Sequence, residues 1–263
     1  MGLDGRVFDL SQPMEPAMPV SPNHPGFRMA LIRRHGDMVR PDGGSAANEL
    51  IVMGGHTGTH LDGLAHVSQD GHLHGGIDAT AAVRGSRYAD LGIETVAPIV
   101  VPGVLLDVAG FRGLEALPPG EPISADELAA TASAQGVEVP EQGAVVVRSG
   151  WARHWSDATT YVGHDTGVPG VAESGAEWLA ARRPRVAAHD SMAFEQIPAG
   201  AGHRVMPVHR VLLVEHGIHI VENINAEELA AARAYTFTFI CLPLRMVGAT
   251  GSPVRPIAIA GAP

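Results

Sequence analysis

Thirty-two glycines and 20 prolines, spread along all 263 residues, confine this chain to short elements joined by turns. Between these breakers lie segments rich in Val, Ile and aromatic residues: Arg6–Leu10, Glu49–Met53, Ile99–Val108, Ala144–Arg148, Arg185–His189, Ile218–Glu222, Tyr235–Leu242 and Pro256–Ala260. Their composition and their turn-forming ends predict strands. Tyr235-Thr-Phe-Thr-Phe-Ile alternates with period two, the pattern of a half-buried strand. Ser124–Gln135 and Ser174–Arg183 each open with Ser-x-x-Glu, a capping box that satisfies orphan amide donors at a helix start. Asn225–Ala232 predicts a shorter third helix. Strands outnumber helices and the two intermix. The expectation is one α/β domain over residues 1–263 with a mixed β-sheet, rather than a regular βαβ array.

Composition removes several chemistries. Cys241 is the only cysteine, which excludes an intrachain disulfide framework, a CxxC redox site and multi-thiolate metal sites. All 18 basic residues are arginine, so there is no Schiff-base lysine and no P-loop lysine. A net charge of −10 without a basic stripe argues against a nucleic-acid partner. No stretch of about 18 uncharged apolar residues is present, so no membrane span is expected. The opening MGLDGRVFDLSQPM lacks a basic region followed by an apolar run, and a cytoplasmic protein with a small-molecule substrate is the expectation.

Histidine is the anomaly. There are 14, and three of them stand with an aspartate in Gly54-Gly-His56-Thr-Gly-Thr-His60-Leu-Asp62-Gly-Leu-Ala-His66. Neutral imidazole and carboxylate are the usual ligand set for Zn²⁺, Mn²⁺ and Fe²⁺. His56 and His60 are spaced for one helical face, but Gly58 and two β-branched threonines argue instead for an irregular glycine-rich turn. Thr57 and Thr59 are placed to hydrogen-bond the ligands. There is no HExxH and no Gly-x-Ser-x-Gly elbow. His60-Leu-Asp62 also fits half of a two-His-one-carboxylate iron site, which keeps an oxygenase open.

The segment HTGTHLDGLAH resembles the H-x-G-T-H-x-D-x-x-x-H signature of the cyclase family of metal-dependent hydrolases, which includes bacterial kynurenine formamidase and isatin hydrolase. Pro207-Val-His209-Arg, Gly217-Ile-His-Ile-Val-Glu222-Asn and the run Pro243 to Arg255 are similar to later blocks of that family, and the resemblance extends from about residue 5 to 260. It implies a swivelling β/β/α domain, a zinc pair or a single manganese, and a homodimer or homotetramer in which a neighbouring subunit can line the pocket. His56, His60 and Asp62 would bind a first metal, Asp62 would bridge to a second held by His209 and Glu222, and His66 would be the unligated catalytic base and acid. Formamidase-type members carry a proline where this chain has Gly-Leu-Ala after Asp62, a departure from that subgroup.

The chemistry expected is hydrolysis of an amide, lactam, ester or lactone, since a divalent ion polarises a carbonyl and brings the pKa of water to about 7 while a histidine shuttles the proton. A cyclase or dehydratase on the same scaffold is the alternative. Trp151 and Trp155, with Tyr161, follow a predicted strand and either line a pocket for a flat ring or pack a lid or subunit contact. His72 and His74 read as turn residues. His189, Asp190 and Glu195 read as a solvated strand end, although strand ends often carry site residues. Cys241 reads as a buried structural residue.

Overall fold

A computed structural model describes residues 4–261, so the outermost residues of the expected domain lie outside the described residues. The principal strands are β1 (Arg6–Asp9), β2 (Arg28–Arg33), β3 (Asn48–Val52), β4 (His60–Asp62), β5 (Ile99–Asp107), β6 (Ala144–Arg148), β7 (Val186–His189), β8 (His219–Glu222), β9 (Thr236–Cys241), β10 (Gly251–Pro253) and β11 (Ile257–Ala260). The longer helices are α1 (Ala125–Gln135), α2 (Glu173–Ala180) and α3 (Glu227–Ala231). Nine strands form one sheet in the order β1-β11-β9-β5-β6-β7-β8-β4-β10. The central four, β5 to β8, run parallel, and every other pairing is antiparallel. The chain is one α/β domain with a mixed sheet, as its sequence predicts.

Central strands of such a sheet are covered on both faces and therefore read as continuous apolar runs. In β6 all five residues are buried. Val145 and Val147 pack with Leu128 of α1 and Leu179 of α2. Ala144 and Val146 point the other way, into a second cluster with Phe237, Phe239 and Leu229. Each valine so buried contributes about 1.5–3 kcal/mol relative to exposure. Cys241 is buried in the second cluster, and burial pushes its thiol up to about 12, as suits a packing residue. Among the described residues no helix is long and apolar enough to cross a membrane.

Glu49–Met53 does form a strand, but it pairs with Arg28–Arg33 in a separate two-stranded ribbon. The short strands β4 and β10 were not expected, because their Gly, Pro and charged residues mask an extended conformation. Ser124 caps α1 as predicted: its hydroxyl accepts the Glu127 N–H at 3.3 Å, and left-handed Gly136 ends the helix. The second predicted cap is displaced. Residue 172 occupies the cap position of α2, and Ser174 lies inside its first turn, with its hydroxyl accepting the Ala125 N–H of the neighbouring helix at 3.4 Å. A Ser two residues too late to cap its own helix thus serves an earlier one.

A buried ion network ties the strand ends beneath these helices. Arg148 Nη1 donates to Asp107 Oδ1 at 2.7 Å, Nε and Nη2 donate to the two Glu227 carboxylate oxygens at 2.8 Å each, and Nη2 also reaches the Glu115 carbonyl at 3.0 Å. Asp107 in turn caps the following helical turn by accepting the Gly110 N–H. Removing the guanidinium strands a buried carboxylate, so Arg148→Met is expected to cost about 3–5 kcal/mol in a denaturant titration. A loss under about 1 kcal/mol would show the network to be dispensable.

Candidate metal centre

The antiparallel register decides which side chains meet. His60 on β4 stands directly opposite Glu222 on β8, and Asp62 stands opposite Ile220. Side chains alternate across a strand, so His60, Asp62 and Glu222 share one face. Leu61 and Val221 take the other face and enter the apolar core. On its outer side β4 pairs with β10, which places Gly251 opposite Asp62. A Cβ at Gly251 would fall 2.4 Å from His56 Cε1, so the glycine makes room for that imidazole.

The turn before β4 is irregular and glycine-rich, as read from the sequence. Gly58 takes a left-handed φ of 68°, and its carbonyl accepts from His60 Nδ1 at 2.8 Å and from Asn223 Nδ2 at 2.9 Å. A carbonyl only accepts, so His60 Nδ1 carries the proton and Nε2 presents a lone pair to the centre. Thr59, expected to hold a ligand, instead donates to the Asn223 carbonyl at 2.6 Å and accepts the Gln12 N–H. Thr57 donates to the Pro25 carbonyl. Both threonines fix the turn rather than the ligands.

The structure brings His56, His60, Asp62, His209 and Glu222 together. His60 Nε2 lies 3.5 Å from Asp62 Oδ1 and 3.4 Å from Glu222 Oε2. His209 Nε2, delivered by the helical turn Pro207–His209, lies 3.7 Å from Asp62 Oδ2 and 3.2 Å from Glu222 Oε1. Donors held at about 2.0–2.2 Å by one tetrahedral ion would sit roughly 3.3–3.6 Å apart, close to all four separations. His56 Nδ1 is 2.7 Å from Asp62 Oδ1, and its Nε2 is 2.9 Å from Thr250 Oγ1. His66 stacks on His56 with ring centroids 3.9 Å apart. Two ligand-capable groups share Asp62, one of His56, Asp62 and His66, the other of His60, Asp62 and Glu222. The first holds two histidines and one carboxylate, the second one histidine and two carboxylates.

Asp62 Oδ2 and Glu222 Oε1 are buried and accept no well-formed hydrogen bond among the described residues, their contact being an ion-pair approach by His209 Nε2. Buried carboxylate oxygens of this kind call for a cation. The electrostatics agree. Burial and the neighbouring Asp62 raise Glu222 to about 7, while burial pushes His60 down to about 4 and His66 down to about 3 against the pull of Asp62. Burial also works against charge on His209, but Glu195 and Glu222 overcome it and raise the imidazole to about 10. Asp62 is held below the usual carboxylate range by His66 and His56, although burial opposes this.

Glu195 is the partner whose importance the sequence understated. It is buried rather than solvated, its Oε1 sits 2.6 Å from His209 Nδ1, and this leaves His209 Nε2 for the centre. Carboxylate–histidine–metal arrangements of this type raise ligand basicity and fix the ring. Thr250 and Gly251 were also missed, since neither residue type signals a site. His189 and Asp190 are buried as well. Asp190 accepts the Ser149 and Gly150 N–H groups at 2.9 and 2.7 Å and so joins the loops after β6 and β7. His72 bonds the Asp70 carbonyl within its own turn, whereas His74 bonds the distant Val214 carbonyl.

The matching family model is described as putative cyclase and covers residues 8–196. This chain belongs to the cyclase family. A solved structure titled a novel cyclase superposes with a TM-score of 0.88 at 28% identity, covering 97% of this chain and 87% of that one. Kynurenine formamidase of Bacillus cereus is 25% identical over 95% of each chain. Isatin hydrolase of Roseibium aggregatum is 25% identical over 83% of this cyclase-family chain and 76% of its own length.

A cavity of about 380 Å³ opens onto the centre, within the range of small-molecule sites. His56, His60, His66, His209 and Glu222 form its floor. Trp151 and Trp155, one reading of which put them in a pocket, do not line it. They are buried behind Met192 and Ala193, and their indole N–H groups donate to the Tyr161 and Pro13 carbonyls at 2.9 and 3.1 Å. Indole needs both an apolar surround and an acceptor, and here the protein interior supplies both.

Loading a cation requires Glu222 ionised and His209 neutral at Nε2. Both are held protonated at higher pH than usual in the ion-free chain, so binding expels protons and strengthens as pH rises. Calorimetry in buffers of different ionisation enthalpy is expected to show release of about one proton or more per ion, with affinity falling as pH drops below about 10 and more steeply below about 7. Binding with no proton release would contradict this ligand set.

Proposed function

We propose that this cyclase-family protein is a metal-dependent hydrolase. It cleaves a carbon–nitrogen amide or lactam bond, or the corresponding ester or lactone, of a small and partly apolar substrate. The observation that carries the reading is the pair of buried carboxylates, Asp62 and Glu222, each with an oxygen that accepts no formed hydrogen bond, clustered with His60 and His209 beside a cavity. His56, His60, Asp62, His209 and Glu222 would hold one or two ions of Zn²⁺ or Mn²⁺. Relatives named kynurenine formamidase and isatin hydrolase support the reaction class.

A divalent ion supplies carbonyl polarisation and a water whose pKa falls to about 7. The chain's own residues do the rest. His66 is neutral across the physiological range because it is buried, so an imidazole nitrogen accepts a proton from the attacking water and returns it to the departing nitrogen. The water oxygen joins the carbonyl carbon, the C–N bond breaks, and no net proton is consumed within the site. Glu195 holds the His209 ring, and the Gly58 carbonyl holds the His60 proton on Nδ1, so neither ligand reorients during turnover. Met192, Ala193, Val20 and Val67 give the cavity an apolar wall for the substrate body.

His66→Ala is expected to lower kcat by about 10²–10⁴-fold with metal content unchanged by elemental analysis. Loss of metal in that variant would instead make His66 a ligand, as its place beside His56 and Asp62 permits. Mass spectrometry of the product adds a second check: hydrolysis gains one water, whereas cyclisation or dehydration loses one.

We further propose a homodimer or homotetramer built on the β2–β3 ribbon. Met29, Leu31, Ile32, Leu50, Ile51 and Val52 are each about half exposed or more on this ribbon. Two strands alone are marginal in water, and an apolar patch of this kind marks an interface. Light scattering of Leu31→Glu/Ile51→Glu is expected to give a smaller assembly than wild type. An unchanged mass would remove the ribbon from the interface.

A further inference from the structure

A second cavity, of about 290 Å³, opens where the parallel strands β6, β7 and β8 begin, with Gln142, Arg183, Arg185, His216 and His219 in its lining. It is separate from the metal centre. His219 starts β8, and Glu222 stands three residues further on, about 10 Å along the strand and on its other face. Among the described residues no carboxylate lines this cavity, although the chain carries a net charge of −10.

Two arginines supply its charge. Arg185 Nη2 donates to the Ala97 carbonyl at 2.8 Å, which fixes the side chain, and among the described residues no carboxylate pairs with its guanidinium. Arg183 pairs with Glu141 at 2.8 Å, but these side chains are 70% and 61% exposed, so water screens the pair and an incoming anion can compete for the guanidinium. Arg183 and Gln142 hold left-handed φ angles of 52° and 55°, and the Gln142 N–H donates to the Arg183 carbonyl at 2.9 Å. Non-glycine residues rarely adopt this conformation, and such outliers gather at functional sites.

His219 decides the chemistry of the ligand. Its Nδ1 lies 3.0 Å from the Asp62 carbonyl. A carbonyl only accepts, so Nδ1 carries the proton and Nε2 of the neutral ring offers a lone pair. Among the described residues Nε2 has no hydrogen-bond partner, and it is not one of the atoms sealed from solvent. The Nδ1 edge is turned to Asp62, so the open space that Nε2 meets is the cavity His219 lines. Cationic donors thus stand beside a neutral acceptor. A bare oxyanion satisfies only the donors, whereas one that also carries a hydroxyl satisfies both.

We infer that this cavity binds a small oxyanion bearing its own hydroxyl, hydrogen phosphate or a hydroxy carboxylate, with Arg185 and Arg183 holding the negative oxygens and His219 Nε2 accepting from the hydroxyl. The inference does not depend on the reaction at the metal centre.

The test is calorimetry on the full-length protein loaded with Mn²⁺, at about pH 8, where imidazole is neutral and hydrogen phosphate and sulfate carry the same charge. Hydrogen phosphate is expected to bind about tenfold tighter than sulfate, or glycolate about tenfold tighter than acetate, and the pair that discriminates identifies the source of the oxyanion. His219→Asn keeps a donor near the Nδ1 position and removes Nε2. It is expected to bring the discriminating ratio towards one, with affinity for the hydroxyl-free anion unchanged. Arg185→Gln is expected to weaken both anions of the pair about tenfold. Metal content as in wild type shows that the centre is intact. The proposal is overturned if neither pair discriminates in wild type or if the ratio survives His219→Asn. Binding that survives Arg185→Gln also overturns it, and places the anion on the metal ion instead. Arg185 stands outside the ligand cluster, so that variant decides the matter even if His219→Asn loses metal.

Discussion

The pairing of β4 with β8 places two carboxylates, Asp62 and Glu222, on one buried face, and much of the site follows from the need to compensate them. Both are shielded from bulk solvent, and among the described residues neither pairs with an arginine. What surrounds them is imidazole: His56 and His60 from the turn and strand, His209 from a helical turn and His66 stacked alongside. Imidazole can carry a proton or bind a metal, so a cage of this composition suits either a protonated or a cation-bound form, and under the proposed reading cation binding would trade against protons on these same groups.

Holding such a cage requires that each ring present the correct nitrogen. The fold does this with backbone and carboxylate acceptors at Nδ1. Gly58 serves His60, Glu195 serves His209, and the carbonyl of Asp62 serves His219, which stands outside the ligand cluster at the start of β8. His56 is handled differently, between Asp62 at Nδ1 and Thr250 at Nε2. Because Asn223 bonds the Gly58 carbonyl and Tyr161 bonds both Asn223 and the Asp190 carbonyl, the ring of His60 is braced through to the loop that follows β7. The brace is buried throughout, where such bonds suffer least competition from water.

Much of this was legible in the chain, for reasons that differ by residue. The apolar run of β6 announces itself because a strand buried on both faces leaves no room for polar positions, and β9 announces itself by the alternation of a half-buried strand. The early ligands were legible because three imidazoles and an aspartate crowd into a short span, while His209 and Glu222 came only with the family resemblance. Glu195 was not legible: buried beside His209, it was taken for a solvated strand end. Trp151 and Trp155 were legible only as a choice between a ligand pocket and packing, because residues suited to a pocket serve the interior just as well, as they do here. Ser174 bears a helix-start motif, yet its hydroxyl caps a different helix, a choice made by packing between α1 and α2. The strand β10 was invisible because Gly-Ser-Pro has no strand character apart from its neighbour.

The division between floor and rim has a physical consequence for the family. The floor is built from paired strands, where a slip of one residue would turn Leu61 towards the cavity and drive His60 and Asp62 into the apolar core. Such a register admits almost no drift. The rim is made of loops, including the segment with Gly200 and Gly202, whose left-handed conformations meet open space on every side. Loops of this kind change length and side chain without disturbing the core. A fold of this build can keep its floor while its rim varies, and relatives about 25% identical to this chain carry names as different as formamidase and isatin hydrolase. Whatever distinguishes the substrate of this chain must then be sought where sequence is free to vary, at the mouth of the cavity rather than among the ligands.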